Sequence, residues 1–226
     1  MSARAAIIVA GGTGTRMKAK TAKQFLPLSG KPVIVYAIEA FRAYDPEMDF
    51  VLVLFRGLEA EWRSIAERWL DRPDEIRVVE GGAERFHSVK IGLGAVDRRI
   101  DLVAIHDAVR PLASQGTIGR CFDAAARYGA AIPVVPVVDT IRRMTGKAGM
   151  TLPRHELVAV QTPQCFQRAR IAEAYETEFQ PQFTDDASVA EFAGMSIATV
   201  DGNRTNLKIT TPEDISIAEA LLKHRP

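Results

Sequence analysis

Residues 5–17 read AAIIVAGGTGTRM, a short apolar run that passes directly into a glycine-rich turn. The apolar part, Ala5 to Val9, has the length and composition of a buried strand. In an open parallel sheet, ligands bind beyond the carboxyl ends of the strands, and glycines there let backbone N–H groups approach phosphate oxygens closely. This stretch therefore predicts an α/β fold with a phosphate site directly after the first strand.

The rest of the chain repeats this order of strand and helix. Further strands are predicted at Phe50 to Phe55, Ile76 to Val79, Leu102 to Ile105, Ala131 to Val135 and Ile197 to Val200. Helices are predicted at Pro32 to Arg42, Leu58 to Leu70, Ser88 to Val96, Thr117 to Tyr128, Ala169 to Phe179, Asp185 to Phe192 and Pro212 to Lys223. Because such repeats require right-handed crossovers, they predict a Rossmann-like layered fold, with a mainly parallel twisted sheet and helices on both faces.

Residues 137–161 break this order. The segment holds β-prone Val138 and Thr140, then a polar turn at 146–149, then a second apolar stretch at 158–161, which together predict a protruding β-hairpin arm. An isolated hairpin is marginal in water, so we expect this arm to pack against a second subunit and form a homodimer. The chain, residues 1–226, is expected to fold as a single domain.

The composition limits the kinds of partner that the chain can have. Lys and Arg number 29 against 28 for Asp and Glu, and the net charge of +1 provides no field that would attract nucleic acid or a membrane surface. Two isolated cysteines, Cys121 and Cys165, suit packing positions in a reducing compartment. With no export signal or spanning segment apparent, we expect a cytoplasmic protein.

The glycine turn differs from two well-known phosphate motifs. The P-loop pattern is absent, and Met17 stands where the dinucleotide fingerprint requires its last glycine. What remains is a glycine loop followed by two cations, Arg16 and Lys23, which suit the neutralisation of a triphosphate and of departing pyrophosphate. The alternative interpretation is a glycine-rich surface turn with solvated cations.

The glycine segment resembles the signature of the 2-C-methyl-D-erythritol 4-phosphate cytidylyltransferase family, within the sugar-nucleotide transferase class. Six more segments resemble blocks of that family in the same order: GGAER at 81–85, HDAVRP at 106–111, PVVDT at 136–140, QTPQ at 161–164, TDDAS at 184–188 and NLKITTPED at 206–214. The resemblance implies transfer of a cytidylyl group from CTP to methylerythritol 4-phosphate, which yields CDP-methylerythritol and pyrophosphate for isoprenoid synthesis by the non-mevalonate route.

The resemblance also implies roles on the nucleotide side of the site. Catalytic cations are Arg16, Lys23 and Lys208, and the nucleotide-binding residues are Ala10, Gly11, Gly12, Thr13, Gly14, Gly82 and Ser88. Asp107 follows a predicted strand, and one such carboxylate suffices for Mg²⁺ when triphosphate oxygens and water complete the octahedron. Judged alone, Asp107 is as well explained as the cap of a turn. His106 is expected to pack or orient rather than to react.

A second set of residues is implied to bind the acceptor. It comprises Asp107, Arg110, Thr140, Arg154, Thr162, Thr184 and Lys208, of which Arg110 and Thr140 are implied to reach acceptor bound by the neighbouring subunit. Without the resemblance, Arg154, Lys208 and the two threonines Thr162 and Thr184 are better explained by solvation or by helix capping. In this family the acceptor phosphate is itself the nucleophile, so catalysis is expected to consist of positioning and charge neutralisation.

Three positions depart from the family pattern. Ala22 replaces a usual proline, Ala83 a usual polar or acidic residue, and His87 a common aspartate.

Three other functions stay open. The first alternative function is a cytidylyltransferase for ribitol 5-phosphate or another pentitol phosphate, which would use the same CTP machinery. The second is a non-catalytic nucleotide-binding module of the same fold. The third, a nicotinamide-dependent dehydrogenase, lacks the final fingerprint glycine.

Overall fold

Strands and helices alternate along most of the chain in the computed structural model, which describes residues 2–11 and 22–224 of 226. The strands are β1 (Arg4–Ala10), β2 (Pro27–Leu28), β3 (Lys31–Pro32), β4 (Asp49–Leu54), β5 (Ile76–Glu80), β6 (Leu102–Asp107), β7 (Ala130–Pro136), β8 (Arg142–Thr145), β9 (Ala148–Thr151), β10 (Val158–Val160), β11 (Gln164–Gln167) and β12 (Ala198–Asp201). The helices are α1 (Val33–Tyr44), α2 (Glu59–Trp69), α3 (Arg85–Ala95), α4 (Gln115–Tyr128), α5 (Arg168–Ala174), α6 (Asp186–Phe192) and α7 (Pro212–Lys223).

The central sheet is mainly parallel, as the sequence predicts. Within the described part of the chain it has eight strands in the order β10-β7-β11-β6-β1-β4-β5, with β12 paired to β7. The pairs β1–β4, β1–β6, β4–β5 and β7–β12 are parallel, whereas β11 runs antiparallel to both β6 and β7. The carboxyl ends of β6, β1, β4 and β5 consequently meet at one edge of the sheet.

Helices cover both faces of this sheet, which confirms the predicted layers. Successive side chains of a strand point to opposite faces. Ala6 and Ile8 of β1 therefore pack in a cluster with α1, α2 and α4, whereas Ala5 and Ile7 pack in a second cluster with α3, α5 and α6. Among the described residues, no helix combines the length and the hydropathy that a membrane span requires.

Helix α7 closes the fold near the carboxyl edge of the sheet. It starts with a capping box, in which the Thr211 side chain meets the backbone of Asp214 and the Asp214 side chain meets the backbone of Thr211. Ala218 of α7 then packs with Ile209 and Val109 in a third apolar cluster. The Ile209 backbone N–H donates to Val109 at 2.9 Å, so the segment that precedes α7 lies beside the end of β6.

Several predicted elements need correction, and the helix predicted to begin at Ser88 already begins at Arg85. The second predicted strand ends at Leu54, and Phe55 is 42% exposed beyond the carboxyl edge. The helix predicted to reach Phe179 already ends at Ala174. Strand β11 was not predicted, because its sequence Gln-Cys-Phe-Gln is short and carries polar ends. Its strand conformation comes from pairing with β6 and β7 on either side, which is a tertiary effect.

The arm is shorter than predicted. Strands β8 and β9 form a separate two-stranded hairpin around Gly146, which has a φ of 62° and so favours glycine. The second predicted stretch does not belong to this hairpin, because β10 pairs antiparallel with β7 in the central sheet. Exposed Val138, Met144 and Met150 line the protruding part. The role of residues 137–161 in dimer formation stays a prediction.

Both cysteines are packing residues in one monomer core, as predicted. Cys121 on α4 and Cys165 on β11 are free thiols with no exposed surface. They belong to the same apolar cluster, and burial, together with the neighbouring Cys121, raises the pKa of Cys165. Such a thiol is protonated and unreactive at neutral pH, which fits a structural role.

Candidate active site

A cavity of about 370 Å³ opens at the carboxyl edge of the sheet, where β1, β4, β5 and β6 end. Seven of the residues that the sequence assigns to a site line it: Ala10, Gly11, Lys23, Gly82, Ser88, Asp107 and Lys208. The parallel strands bring these residues together because each strand delivers its following loop to the same edge. Gly12, Thr13, Gly14 and Arg16 lie outside the described residues.

Glycines crowd around the buried hydroxyl of Ser88 on one side of the cavity. The Gly82 backbone N–H donates to Ser88 Oγ at 3.1 Å. A Cβ at Gly81 would stand 2.8 Å from that oxygen, and a Cβ at Gly11 would stand 3.2 Å from it. A side chain at Gly81 would require its neighbours to shift, and one at Gly11 would be tight, so glycine allows the first strand and the 81–82 turn to approach α3 this closely. Ser88, 2% exposed, therefore fixes the shape of this turn.

Gln24 is a residue of this site that the sequence analysis did not assign. It is 1% exposed, and its Nε2 donates to the carbonyl oxygen of Ala10 at 2.9 Å. This bond ties the 3-10 turn at Lys23–Phe25 to the end of β1 and so places Lys23 in the cavity wall. Ala22 precedes the turn with φ −60° and ψ 135°, a conformation that proline also adopts, so the missing proline leaves this geometry intact.

Asp107 is surrounded by three cations at the end of β6. Its Oδ2 lies 2.8 Å from Lys208 Nζ and 3.6 Å from Arg110 Nε, and its Oδ1 lies 3.7 Å from Arg85 Nε. Burial alone would raise the pKa of this carboxyl, but Arg85, Lys208 and Arg110 hold it well below its usual range. Asp107 is therefore ionised at neutral pH and held between side chains from three segments of the chain.

A buried network behind Asp107 fixes its backbone. The Asp107 N–H donates to Thr162 Oγ1 at 3.1 Å, and this hydroxyl lies 3.0 Å from His106 Nδ1. His106 Nε2 lies 3.0 Å from the carbonyl oxygen of Arg110, so Nε2 carries the proton and Nδ1 accepts from the threonine. Burial lowers the pKa of His106 to about 4, which keeps the ring neutral at pH 7. His106 thus orients its neighbours, as expected.

Arg85 and Asp186 form a second buried feature that the sequence analysis missed. Arg85 donates from both terminal nitrogens to the two carboxylate oxygens of Asp186, at 2.8 Å and 2.7 Å. Burial opposes the charge of the guanidinium, but the facing carboxylate raises the pKa of Arg85 above its usual value. Both residues sit inside family-like blocks, at 81–85 and 184–188, and this location was the available signal.

Besides Thr162, which is buried behind Asp107, four of the predicted acceptor residues lie outside the lining of the cavity. Arg110 stands directly behind it, 13% exposed, and donates from Nη1 to the carbonyl oxygen of Asn206 at 2.9 Å. Thr140 and Arg154 are exposed on the arm side of the molecule, where Arg154 donates to the carbonyl oxygen of Val138. Thr184 is exposed just before α6, whose N-cap is Asp185. One chain therefore brings the nucleotide residues, Asp107 and Lys208 together, but not these four.

Asn206 links the acceptor residues that are buried. Its side-chain Nδ2 donates to the carbonyl oxygen of Thr162 at 2.8 Å, and its own carbonyl accepts from Arg110. Gln161 Nε2 donates to the neighbouring carbonyl of Asn203 at 3.0 Å. The segment that carries Lys208 is thereby fastened to Thr162, just before β11, and to Arg110, just after β6. Neither Asn206 nor Gln161 was predicted, although both belong to quoted blocks.

Comparison with known proteins shows the family that the chain resembles over nearly its whole length. The model of the family described as 2-C-methyl-D-erythritol 4-phosphate cytidylyltransferase matches residues 4–224. A protein of that name from Bacteroides fragilis is 48% identical over 221 residues, which cover 97% of this chain and 99% of the relative. The crystal structure of a protein of that name from Thermus thermophilus is 32% identical, with a TM-score of 0.77 and coverage of 99% and 100%. That of the 4-diphosphocytidyl-2C-methyl-D-erythritol synthase from Anaerococcus prevotii is 29% identical, with a TM-score of 0.83 and coverage of 98% and 96%.

Proposed function

The chain belongs to the 2-C-methyl-D-erythritol 4-phosphate cytidylyltransferase family, and we propose that it transfers a cytidylyl group from CTP to 2-C-methyl-D-erythritol 4-phosphate. The products are CDP-methylerythritol and pyrophosphate. One observation carries the proposal at the level of the site: Asp107 and Lys208, 2.8 Å apart, line one cavity together with Gly11, Gly82 and Lys23. A nucleoside triphosphate and a second anion fit together only where positive charge is concentrated in this way.

The reaction needs no nucleophile from the protein. An oxygen of the acceptor phosphate forms a bond to the α-phosphorus of CTP, while the bond from that phosphorus to the oxygen bridging to the β-phosphorus breaks and pyrophosphate departs. Charge builds on the departing group, and cations fixed in advance stabilise it without reorganising. Lys23 and Lys208, which both line the cavity, are proposed to supply such cations, and Arg16 is proposed to supply another.

The residues of the cavity fit a magnesium ion that arrives with the triphosphate. Among the described residues, no three His, Cys, Asp or Glu groups come together as a metal cage. Mg²⁺ typically keeps several waters and binds through one or two carboxylates plus substrate phosphates. Asp107, ionised at the cavity wall, would hold the ion, which when bound would neutralise phosphate charge.

We propose further that the arm forms a homodimer and completes the site. Val138, Met144 and Met150 are each about 60% exposed on the protruding part, an apolar surface that a hairpin rarely leaves in water. Thr140 lies on the same segment, exposed and outside the lining of the cavity of its own chain, which suits a contact with acceptor bound by the second subunit. Arg110 contacts Asp107 of its own chain, so a direct test must decide whether it serves the site of its own chain or that of the second subunit.

Mixed dimers decide which chain these residues serve. We expect dimers of one Lys23→Ala chain and one Thr140→Ala chain to keep about half of the wild-type rate at low acceptor concentration, because one site then has both residues intact. If Thr140 served its own chain, both sites would be defective and the mixture would be as slow as the parent variants. The same pairing with Arg110→Ala assigns Arg110, and tagged chains purified as heterodimers provide the measurement.

The function itself is tested by pyrophosphate release from the purified chain with Mg²⁺, each of four nucleoside triphosphates and a panel of polyol phosphates. We expect turnover with CTP and methylerythritol 4-phosphate to exceed every other combination by at least about tenfold. A higher rate with ribitol 5-phosphate would assign the alternative cytidylyltransferase activity. Binding of CTP without release of pyrophosphate under any condition would identify a non-catalytic module.

A further inference from the structure

The Arg85–Asp186 pair joins a segment that lines the cavity to a segment that lies outside its lining. Arg85 is the first residue of α3 and follows directly on the Gly81–Gly82 turn of the nucleotide side. Asp186 is the first residue of α6, two positions after Thr184. The two side chains meet through both guanidinium nitrogens, at 2.8 Å and 2.7 Å, although 101 residues separate them.

Asp186 has no exposed surface and is held from a second side. The Tyr175 hydroxyl donates to its Oδ1 at 2.6 Å, and Gln164 on β11 holds the adjacent Asp185 at 2.8 Å. The desolvation cost of burying a carboxylate and a guanidinium is similar in size to the attraction between them. Such a pair is therefore a weak source of stability. The pair instead supplies a fixed bidentate geometry.

Arg85 also faces the reaction site. Its side chain lines the cavity and is 29% exposed there, and its Nε stands 3.7 Å from Asp107 Oδ1. The other oxygen of Asp107 is held by Lys208 and Arg110. Because Asp186 takes both terminal nitrogens, only the Nε edge of Arg85 is directed at Asp107, which limits the rotation of that carboxylate.

We propose that Arg85, aligned by Asp186, is a positioning residue that orients Asp107 and couples the Gly81–Gly82 turn to the segment of Thr184. The inference rests on the proposed function, since it concerns the geometry in which CTP and the acceptor meet. Arg85 acts through Asp107 and through the two segments, and no part of the role requires it to exchange a proton.

A double-mutant cycle tests whether Arg85 acts through Asp107. Arg85→Lys keeps the charge but loses the two-pronged geometry, and we expect it to lower kcat about tenfold, since small misplacements are costly in positioned reactions. In an Asp107→Asn background the same substitution should change kcat less than about twofold, because the group that it orients is already gone. Asp186→Asn should resemble Arg85→Lys in kcat, and combining the two should add little.

The matched control is the Arg4–Asp45 pair at the opposite end of β1. Its atoms lie 3.2 Å apart, and its side chains are partly buried, at 19% and 22% exposed. Arg4→Lys should leave kcat and both KM values within about twofold, whatever it does to the melting temperature. If Arg85→Lys likewise shifts only the melting temperature, or if its effect on kcat is additive with Asp107→Asn, the positioning role is overturned.

Two further readouts keep the outcome decisive. Should Asp186→Asn not fold, Tyr175→Phe removes only the hydroxyl that holds Asp186, and we expect it to lower kcat in the same direction by about threefold. An unchanged kcat in that folded variant counts against the proposal. If the wild-type chain transfers cytidylyl groups but the effects of the substitutions on kcat are additive, only the positioning role is overturned. If the wild-type chain does not transfer cytidylyl groups at all, the proposed function and this inference are both overturned.

Discussion

Lys23→Ala is expected to lower kcat by roughly 10²-fold or more while the protein stays folded. Lys23 lines the cavity on a short 3-10 turn that Gln24 fastens to the end of β1, so the backbone that carries this cation is anchored at the cavity. A cation held in this way stabilises the charge that develops on departing pyrophosphate, and it does so more in the transition state than in the ground state. The loss should therefore appear in kcat and not only in the KM for CTP.

Lys90→Ala is the matched control for this variant. Lys90 pairs with Glu176 on the α3 side of the molecule, outside the lining of the cavity, and 38% of its side chain is exposed. Its loss should leave kcat within about twofold, as surface ion pairs contribute little. Near-normal turnover of Lys23→Ala, in protein with a wild-type melting temperature, would remove Lys23 from the catalytic assignment.

Asp107→Asn should lower kcat by a similar factor, about 10²-fold, and should also weaken the free protein. The variant keeps the backbone N–H that donates to Thr162, but it removes the charge that three neighbouring cations share. We expect the free energy of unfolding at pH 7 to fall by about 2 kcal/mol, less than for a fully buried pair because Lys208 can turn toward water. Added CTP should restore part of this loss, since its phosphates offer replacement charge.

The pH dependence of stability separates this charge effect from a packing effect. Since the pKa of Asp107 is lower in the folded protein than in the unfolded chain, its contribution is present above about pH 4 and is lost as the pH falls further. The difference in stability between wild type and variant should shrink on acidification. Asp101→Asn, at the exposed opposite end of the same strand, is the control. Full activity of Asp107→Asn would contradict the assignment of this carboxylate.

The structure explains why some sequence predictions succeeded. The run that ends in the glycine turn predicts β1 and the cavity correctly, because burial on both faces and close approach of backbone are encoded locally by apolar residues and glycines. The capping box at Thr211 is local in the same sense. Asp107 and Lys208 were assigned through family resemblance, and the fold places them 2.8 Å apart.

Other features have no local signal, and only the tertiary structure decides them. Strand β11 owes its conformation to β6 and β7, and the Arg85–Asp186 contact depends on α3 and α6 covering the same face of the sheet. Which cations surround Asp107, and how far burial shifts its pKa, follows from three segments that meet only after folding. The sequence by itself thus determined the order of the elements and the edge at which chemistry occurs, since periodicity and glycine placement act between near neighbours. Charge pairing and desolvation act between residues that are distant in sequence, and for that reason they became visible only once the chain was folded.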